Sequence, residues 1–303
     1  MSDHDPTGVL SAPATDYAEA RQAVRDLLAH IVQPTGTDWV LRGAFFALSD
    51  SLWLTQRRFK FDHDAPPKAR EDVWKLLRPL MTASDNLAMI FVVAYRLDWC
   101  NKLRLARQLD PGVENTFSEA DIFVFYAQIR SLFDHLCAAI SRCAKVPGQA
   151  PSESFNDLRI WVLKNPHRAT RIFDQRLVEA VASCGWFVPI RNARDKLIHQ
   201  ESTLMRLNSN DEHISFLIDG PSFRAVPLPA PMRPQGHGID FRQYDAAVIA
   251  RTFAFMEAIS APIRDHEGLQ FSEPESPAYY LGAGIVRKWL ELLDTAASDE
   301  PAG

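Results

Sequence analysis

The sequence from residue 119 to 145, EADIFVFYAQIRSLFDHLCAAISRCAK, predicts the strongest helix of the chain. Its apolar residues recur at intervals of three and four, which places them on one face of a helix. Ser118, with Asp121 three positions later, supplies a capping pattern at the start. A long amphipathic helix of this kind is typical of the central element of a bundle. The residues of its apolar face are Ile122, Phe125, Tyr126, Ile129, Leu132, Phe133, Leu136, Ile140 and Cys143.

Four further helices are predicted on the N-terminal side of this segment, each bounded by proline, glycine or a capping side chain. Their expected limits are Thr15 or Asp16 to about Val32, a cap at Thr37 or Asp38 to about Phe59, Pro66 or Pro67 to about Leu77, and a cap at Ser84 or Asp85 to about Leu105. The sequence Asp110-Pro111-Gly112 is expected to end the last of them.

The C-terminal side is also mainly helical, with one exception. Predicted helices cover residues 155–164, 169–183, 186–200, 241–266 and 278–297. Residues 203–207 and 213–218 are instead separated by a polar five-residue loop and are typical of a β-hairpin. The expected fold class is therefore all-α, mainly a helical bundle, with one small β-hairpin near residues 203–218.

The predicted elements divide the chain into four parts. Residues 1–14 are expected to be a disordered tail, and residues 15–110 an N-terminal helical segment. Residues 113–268 hold the central helix, the shorter helices and the hairpin, and residues 276–303 hold a C-terminal helix and tail. The many aromatic residues of the N-terminal segment favour its packing against the rest of the chain.

The composition indicates a globular protein with a local basic region. Hydrophobic residues make up 47% of the 303 residues and charged residues 23%, which is ordinary for a soluble domain. The net charge of -5 argues against a surface that coats nucleic acid throughout. Residues 157–206, however, contain nine Lys and Arg against five Asp and Glu, a local charge of +4. Such a patch suits a local anion site, or it is simply a solvated face.

The cysteines and the apolar runs predict the compartment. Cys100, Cys137, Cys143 and Cys184 lie in apolar segments without paired spacing, which predicts reduced core residues and not a disulfide framework or zinc site. No secretory signal pattern is seen, and the longest apolar run, residues 87–95, is too short to cross a membrane. A cytoplasmic protein without membrane contact is expected.

Several well-known catalytic motifs are missing from the sequence. It contains no G-x-x-x-x-G-K-[ST] phosphate loop, no G-x-S-x-G nucleophile elbow and no H-E-x-x-H metal pair. The glycines at positions 282 and 284 follow no predicted strand, so they do not indicate a dinucleotide site. No cofactor and no metal are expected.

A dense group of charged side chains lies on the predicted helix 186–200. Residues 191–199 contain two arginines, an aspartate, a lysine and a histidine. At about 100° per residue, the apolar residues share one side of this helix, and His199 falls on the opposite side, toward solvent, another helix or another subunit. The apolar side holds Phe187, Ile190, Ala193 and Leu197, the opposite side Asn192, Lys196 and His199, and the flanks Arg194 and Asp195.

These residue types fit the chemistry of RNA cleavage without a metal. An arginine can hold a phosphate with two parallel hydrogen bonds, and an imidazole near neutral pKa can move a proton. Cleavage requires a base that takes the 2′-hydroxyl proton and a cation that stabilises the charge on phosphorus oxygens. A single histidine would have to serve as both the acid and the base. A second histidine, from another subunit, would therefore help.

The sequence Arg194-Asp195-Lys196-Leu197-Ile198-His199 resembles the signature of the HEPN superfamily, especially its abortive-infection type. The resemblance covers about residues 113–268. It implies a homodimer in which both motifs face one cleft, and a metal-independent endoribonuclease of toxin-antitoxin or anti-phage systems. By this resemblance, Arg194 and His199 are the catalytic pair and Asp195 orients them. Helix geometry adds Arg191, Asn192 and Lys196 as candidate RNA or phosphate contacts.

Three interpretations remain open at this point. The first is the endoribonuclease, with RNA as substrate and an antitoxin or regulatory protein as a further partner. The second is a non-catalytic HEPN-like module that binds RNA, a nucleotide or a partner protein. The third is structural, with Asp195 making ordinary local contacts to Arg194 and to His199 four residues later.

Overall fold

The computed structural model describes residues 32–35, 38–41, 44–61, 66–146, 148–149, 151, 154–199, 204–206, 214–218 and 239–266. The predicted tail 1–14, the predicted helix that starts at Thr15 or Asp16 and the predicted helix 278–297 lie outside the described residues, apart from Val32.

Eight α-helices and five short strands make up the described part of the chain. Two strands come first, β1 (Val32–Thr35) and β2 (Asp38–Leu41). The helices are α1 (Ala44–Phe61), α2 (Pro67–Leu105), α3 (Pro111–Arg142), α4 (Phe155–Lys164), α5 (Pro166–Ile172), α6 (Gln175–Ser183), α7 (Phe187–His199) and α8 (Phe241–Arg264). A 3₁₀ turn, Cys184–Trp186, joins α6 to α7. Strands β3 (Leu204–Arg206), β4 (Ser215–Ile218) and β5 (Ile239–Asp240) precede α8.

The prediction of a mainly helical fold with a hairpin near residues 203–218 is confirmed. Strands β3 and β4 are antiparallel, with Leu204 opposite Ile218 and Arg206 opposite Phe216. Strand β5 pairs with the other edge of β4, so the hairpin becomes a small three-stranded sheet. The β1 and β2 strands form a separate antiparallel hairpin, which the sequence pattern did not predict.

The two longest helices, α2 and α3, pack against each other in opposite directions along most of their length. Asn86 of α2 donates a hydrogen bond to Ser131 of α3 over 3.2 Å, and further along Arg96 Nε donates to Asp121 Oδ2 over 2.8 Å. One hydrophobic core then takes side chains from every helix, α1 to α8. This core continues across residue 110, where the sequence pattern separated an N-terminal helical segment from the rest.

The start of α1 differs from the prediction. Thr37 or Asp38 was expected to cap this helix, but Asp38 begins strand β2 and the helix starts at Ala44. The carboxylate of Glu257 on α8 accepts hydrogen bonds from the backbone N–H groups of Ala44 (2.6 Å) and Phe45 (3.0 Å). Because a distant side chain satisfies these two free donors, no local cap is needed.

Two predicted helices are one continuous helix, α2. The predicted cap Ser84 is buried within it, and its hydroxyl donates to the carbonyl of Leu80 over 3.1 Å. Serine can make this bond to the preceding turn inside a helix. Pro79 also lies inside α2, so neither residue ends the helix here.

The central helix α3 begins earlier than predicted. Its cap is Asp110, whose side chain accepts from the backbone N–H of Gly112 (2.8 Å) and Val113 (3.2 Å), and Pro111 occupies the first turn. Proline is well tolerated there because it lacks an N–H that would have no partner. The predicted cap Ser118 instead lies inside α3 and donates to Glu114 over 3.2 Å.

The predicted helix 169–183 is two helices, α5 and α6, because Asp174 starts a new one. Its carboxylate accepts from the backbone N–H of Arg176 over 2.8 Å. The preceding helix 155–164 is as predicted: Ser154 caps it by accepting from the N–H of Asp157 over 3.2 Å, and Asn165-Pro166 ends it.

By length and composition alone, α2 and the segment Tyr244–Arg264 of α8 are apolar enough to cross a membrane. In the most apolar 18-residue stretch of each helix, 50% of α2 and 72% of α8 is buried inside the protein. Core helices of globular proteins pass the same test, so this finding is weak evidence for a membrane location.

Candidate functional site

Helix α7 is attached to α3 by aromatic rings. Phe187, in the first turn of α7, lies 4.6 Å from Phe133 of α3 and 5.2 Å from Phe155 of α4, measured between ring centres. Trp186, just before α7, lies 5.4 Å from Phe133. Phe133, Phe155 and Phe187 are completely buried. These contacts fix the start of α7, so its following turns run beside α3 in the opposite direction.

The predicted apolar face of α7 is confirmed. Phe187, Ile190 and Ala193 are buried, and Leu197 is partly buried against the same core. Asn192 is exposed, as expected for the opposite side. Burial of this face keeps the charged residues between its apolar positions at the surface of the bundle.

Three arginines surround the carboxylate of Asp195. Arg194 donates from Nη1 to Asp195 Oδ1 over 3.0 Å, and Arg130 of α3 donates from Nη1 to the same oxygen over 3.3 Å. Arg191 Nε lies 3.4 Å from Asp195 Oδ2. We call Arg130, Arg191, Arg194 and Asp195 the arginine cluster. One carboxylate is thus shared by three guanidinium groups.

Arg130 also connects the arginine cluster to α4. Its Nε donates to Asp134 Oδ2 over 2.9 Å, and Asp134 Oδ1 accepts from the backbone N–H of Phe155 over 3.0 Å. The carboxylate of Asp134 therefore joins α3 to the first turn of α4. Such second contacts hold a guanidinium in one orientation, which reduces the entropy lost when it binds an anion.

The arginine cluster and Asp134 together carry a net charge of +1, from three arginines and two aspartates. Side-chain exposure is 32% for Arg191, 27% for Arg194 and 19% for Arg130. The cations are therefore accessible in part. Lys196 adds a further positive charge beside them, and burial lowers the pKa of its ammonium group.

The structure brings together only some of the predicted site residues. Arg191, Arg194 and Asp195 contact one another, Lys196 is half-buried on the same helix, and Asn192 is exposed. His199 is the last residue of α7, and its side chain lies outside the described part of the structure. Its position relative to Arg194 stays a prediction.

Sequence reasoning missed the part that Arg130 plays. Arg130 and Asp134, four positions apart on α3, form a partly buried ion pair. The contact of Arg130 with Asp195 joins residues 65 positions apart. No local pattern reports such a contact, because it depends on how α3 and α7 pack.

The arginine cluster has the chemistry of an anion site. A guanidinium has five N–H donors, and Arg130 uses Nε and Nη1 for carboxylates. The remaining donors and the excess positive charge suit a phosphate, which arginine binds in a bidentate manner. The arginines of the cluster stay protonated at neutral pH and therefore cannot act as the base.

Within the described ranges, no three His, Cys, Asp or Glu side chains are grouped closely enough to hold a metal ion.

The chain was compared with family models, with curated proteins and with solved structures, and none of them matches it.

Proposed function

We propose that the protein is an HEPN-like, metal-independent endoribonuclease that acts in toxin-antitoxin or anti-phage defence. The observation that supports this best is the arginine cluster, in which three guanidinium groups share Asp195. Arg191 and Arg194 lie on α7, the helix that ends at His199, and Arg130 lies on the neighbouring α3. A phosphate-binding group followed within two helical turns by an imidazole supplies two of the groups that metal-free RNA cleavage needs, the cation and the base.

In this proposal the arginines bind the scissile phosphate and His199 moves the proton. The imidazole takes the proton of the 2′-hydroxyl, and the 2′-oxygen attacks phosphorus. The bond from phosphorus to the 5′-oxygen breaks, and that oxygen receives a proton from an acid. The products are a 2′,3′-cyclic phosphate end and a 5′-hydroxyl end. Arg194 and Arg191 stabilise the negative charge that develops on the phosphorus oxygens.

Asp195 is a positioning residue in this proposal. It accepts a hydrogen bond from Arg194 and another from Arg130, so it holds both guanidinium groups beside the same carboxylate oxygen. Lys196 and the exposed Asn192 are proposed RNA contacts on the same helix. The acid that protonates the leaving 5′-oxygen is proposed to be His199 of a second copy, so the active form would be a homodimer. A cytoplasmic location is part of the same proposal.

The test compares wild-type protein with His199→Ala on a labelled RNA. We expect cleavage by the wild-type protein to be unaffected by EDTA and to leave 2′,3′-cyclic phosphate ends. His199→Ala should lower the rate by about 10²- to 10⁴-fold, the usual value of one proton-transfer group, without changing the melting temperature. His167→Ala, which removes an exposed histidine of α5, is the matched control and should cleave normally.

A cellular test addresses defence directly. Expression of the wild-type protein should slow growth, and His199→Ala should relieve this effect while His167→Ala should not. Equal growth with all three proteins, together with intact RNA in the cleavage assay, would exclude the nuclease. If the wild-type protein slows growth, an antitoxin partner is expected to be a protein that restores growth when it is co-expressed with the wild-type chain.

The second candidate is an RNA-binding module without catalysis, and a specific observation favours it. The three arginines gather around Asp195 without any contact to His199 in the described part of the structure. Such a module should keep its RNA affinity in His199→Ala and lose it in Arg191→Ala and Arg194→Ala. Arg171→Ala, an exposed arginine of α5, is the control. Binding should weaken as salt increases, because phosphate contacts release counterions.

A further inference from the structure

We propose that an open groove between α1 and α2 binds a nucleotide, taken either as a free mononucleotide or as one unit of a single RNA strand. The groove has a volume of about 770 Å³, which is within the range of about 300–1,000 Å³ for small-molecule sites. Trp53, Arg57 and Lys60 of α1 line one wall, and Arg70 and Trp74 of α2 line the other. We call these five residues the tryptophan groove.

Helical spacing places these side chains on facing walls. Trp53, Arg57 and Lys60 are separated by four and then three positions in α1, and Arg70 and Trp74 by four positions in α2. Residues at such spacings share one face of a helix. The two faces therefore present the same combination of an indole and a cation to the space between the helices.

Both indoles expose a large apolar surface. Trp53 is 44% exposed and Trp74 is 46% exposed, while the rings that build the core, such as Phe45 and Phe91, are fully buried. The guanidinium carbon of Arg57 lies 5.3 Å from the centre of the Trp53 ring, as in a cation–π contact. The tryptophans thus offer flat surfaces on which a nucleobase can stack.

The charge of the groove selects an anion. Three of its lining residues are cations, Arg57, Lys60 and Arg70, and none is a carboxylate. Arg57 and Lys60 form no ion pair with any residue that the structure describes, in contrast to the arginine cluster, where Asp195 offsets part of the charge. Stacking surfaces together with these cations match a ligand that has both an aromatic base and a phosphate.

The tryptophan groove is independent of the proposed ribonuclease site. Its residues belong to α1 and the first turns of α2, whereas the arginine cluster belongs to α3 and α7. The inference therefore does not rest on RNA cleavage, and either site can fail its test without the other.

The test is isothermal titration calorimetry with AMP and with a short 2′-O-methyl oligoadenylate. Methylation removes the nucleophilic 2′-hydroxyl, so the proposed nuclease cannot consume the probe. Trp74→Ala should weaken binding by about 5- to 100-fold, the usual effect of one stacked base. Trp99→Ala is the matched control, because Trp99 is 50% exposed on the same helix but lies outside the groove. It should bind as the wild-type protein does.

A charge variant tests the phosphate. Lys60→Gln should weaken binding of AMP but leave binding of adenosine unchanged, and Lys164→Gln, an exposed lysine of α4, should change neither. Tighter binding of the oligoadenylate than of AMP, measured in the Arg194→Ala background and lost on Trp74→Ala, would assign the groove to an RNA strand, and equal binding in that background would assign it to a free nucleotide. The proposal is wrong if neither probe binds, if Trp74→Ala binds both as the wild-type protein does, or if an acidic peptide binds in their place.

Discussion

Arg130 of α3 donates one hydrogen bond to Asp195 of α7 over 3.3 Å and another to Asp134 of its own helix over 2.9 Å. One side chain therefore links the central helix of the bundle to the helix that ends at His199. The side chains of Arg130 and Asp195 are 19% and 28% exposed, so the contact is shielded from water in part. This contact holds Asp195 of α7 against α3.

The contact between Arg130 and Asp195 should be measurable by a double-mutant cycle with Arg130→Gln and Asp195→Asn. We expect a coupling free energy of about 0.5–1.5 kcal/mol in urea unfolding, since charged pairs in contact couple by amounts of this order and partial exposure reduces them. The exposed pair Lys75 and Glu71 of α2 is the control and should couple by at most about 0.5 kcal/mol. Equal coupling in the two cycles would contradict a special link between α3 and α7.

The aromatic attachment of α7 predicts a large cost for Phe133→Ala. Phe133 is fully buried and lies within 5.4 Å of four other aromatic rings, measured between centres. Removal of such a side chain costs about 3–5 kcal/mol of unfolding free energy. Phe123→Ala, which truncates a 39% exposed ring of the same helix, should cost only about 1–2 kcal/mol, because the ring is only partly buried. Similar losses for both variants would show that the ring cluster does not stabilise the fold.

Glu257 predicts a specific dependence of stability on pH. Burial raises its pKa above the ordinary 4.5, and this effect exceeds the lowering by the hydrogen bonds from Phe45 and Ala44. The folded protein then keeps the proton to a higher pH than the unfolded chain does. The contribution of Glu257 to stability is therefore complete below about pH 4.5 and is lost as the pH rises through the pKa of the folded state.

Urea unfolding of the wild-type protein and Glu257→Gln from about pH 5 to about pH 8 would measure this dependence. The free energy of unfolding of the wild-type protein should fall relative to that of Glu257→Gln as the pH rises. A relative increase with pH would mean that the ionised carboxylate caps α1 more strongly than burial disfavours it.

The four cysteines should resist alkylation in the native protein. All four are buried, and burial raises the pKa of Cys137, Cys143 and Cys184 to about 12. Because the thiolate is the reactive form, native protein incubated with iodoacetamide at neutral pH should keep its mass. The same treatment in urea should modify all four positions. Rapid modification of any one in the native state would show that its site opens readily.

Periodicity predicted the faces of the helices well. The apolar stripe of the central helix and the burial of Phe187, Ile190 and Ala193 in α7 follow from the spacing of apolar residues, which is a local property. The burial of the cysteines was predicted on the same basis. Helix boundaries were predicted less well, because Ser84 and Ser118 are capping residues by type but bond within a helix.

The sequence by itself determined the fold class, the apolar faces and the group of charged residues on α7, since each depends on residues a few positions apart. Only the tertiary structure decided that Arg130 joins Asp195 and that Glu257 caps α1 from a position 213 residues away. Such contacts form where helices cross. Crossing geometry depends on the packing of the whole core, which no single stretch of sequence encodes.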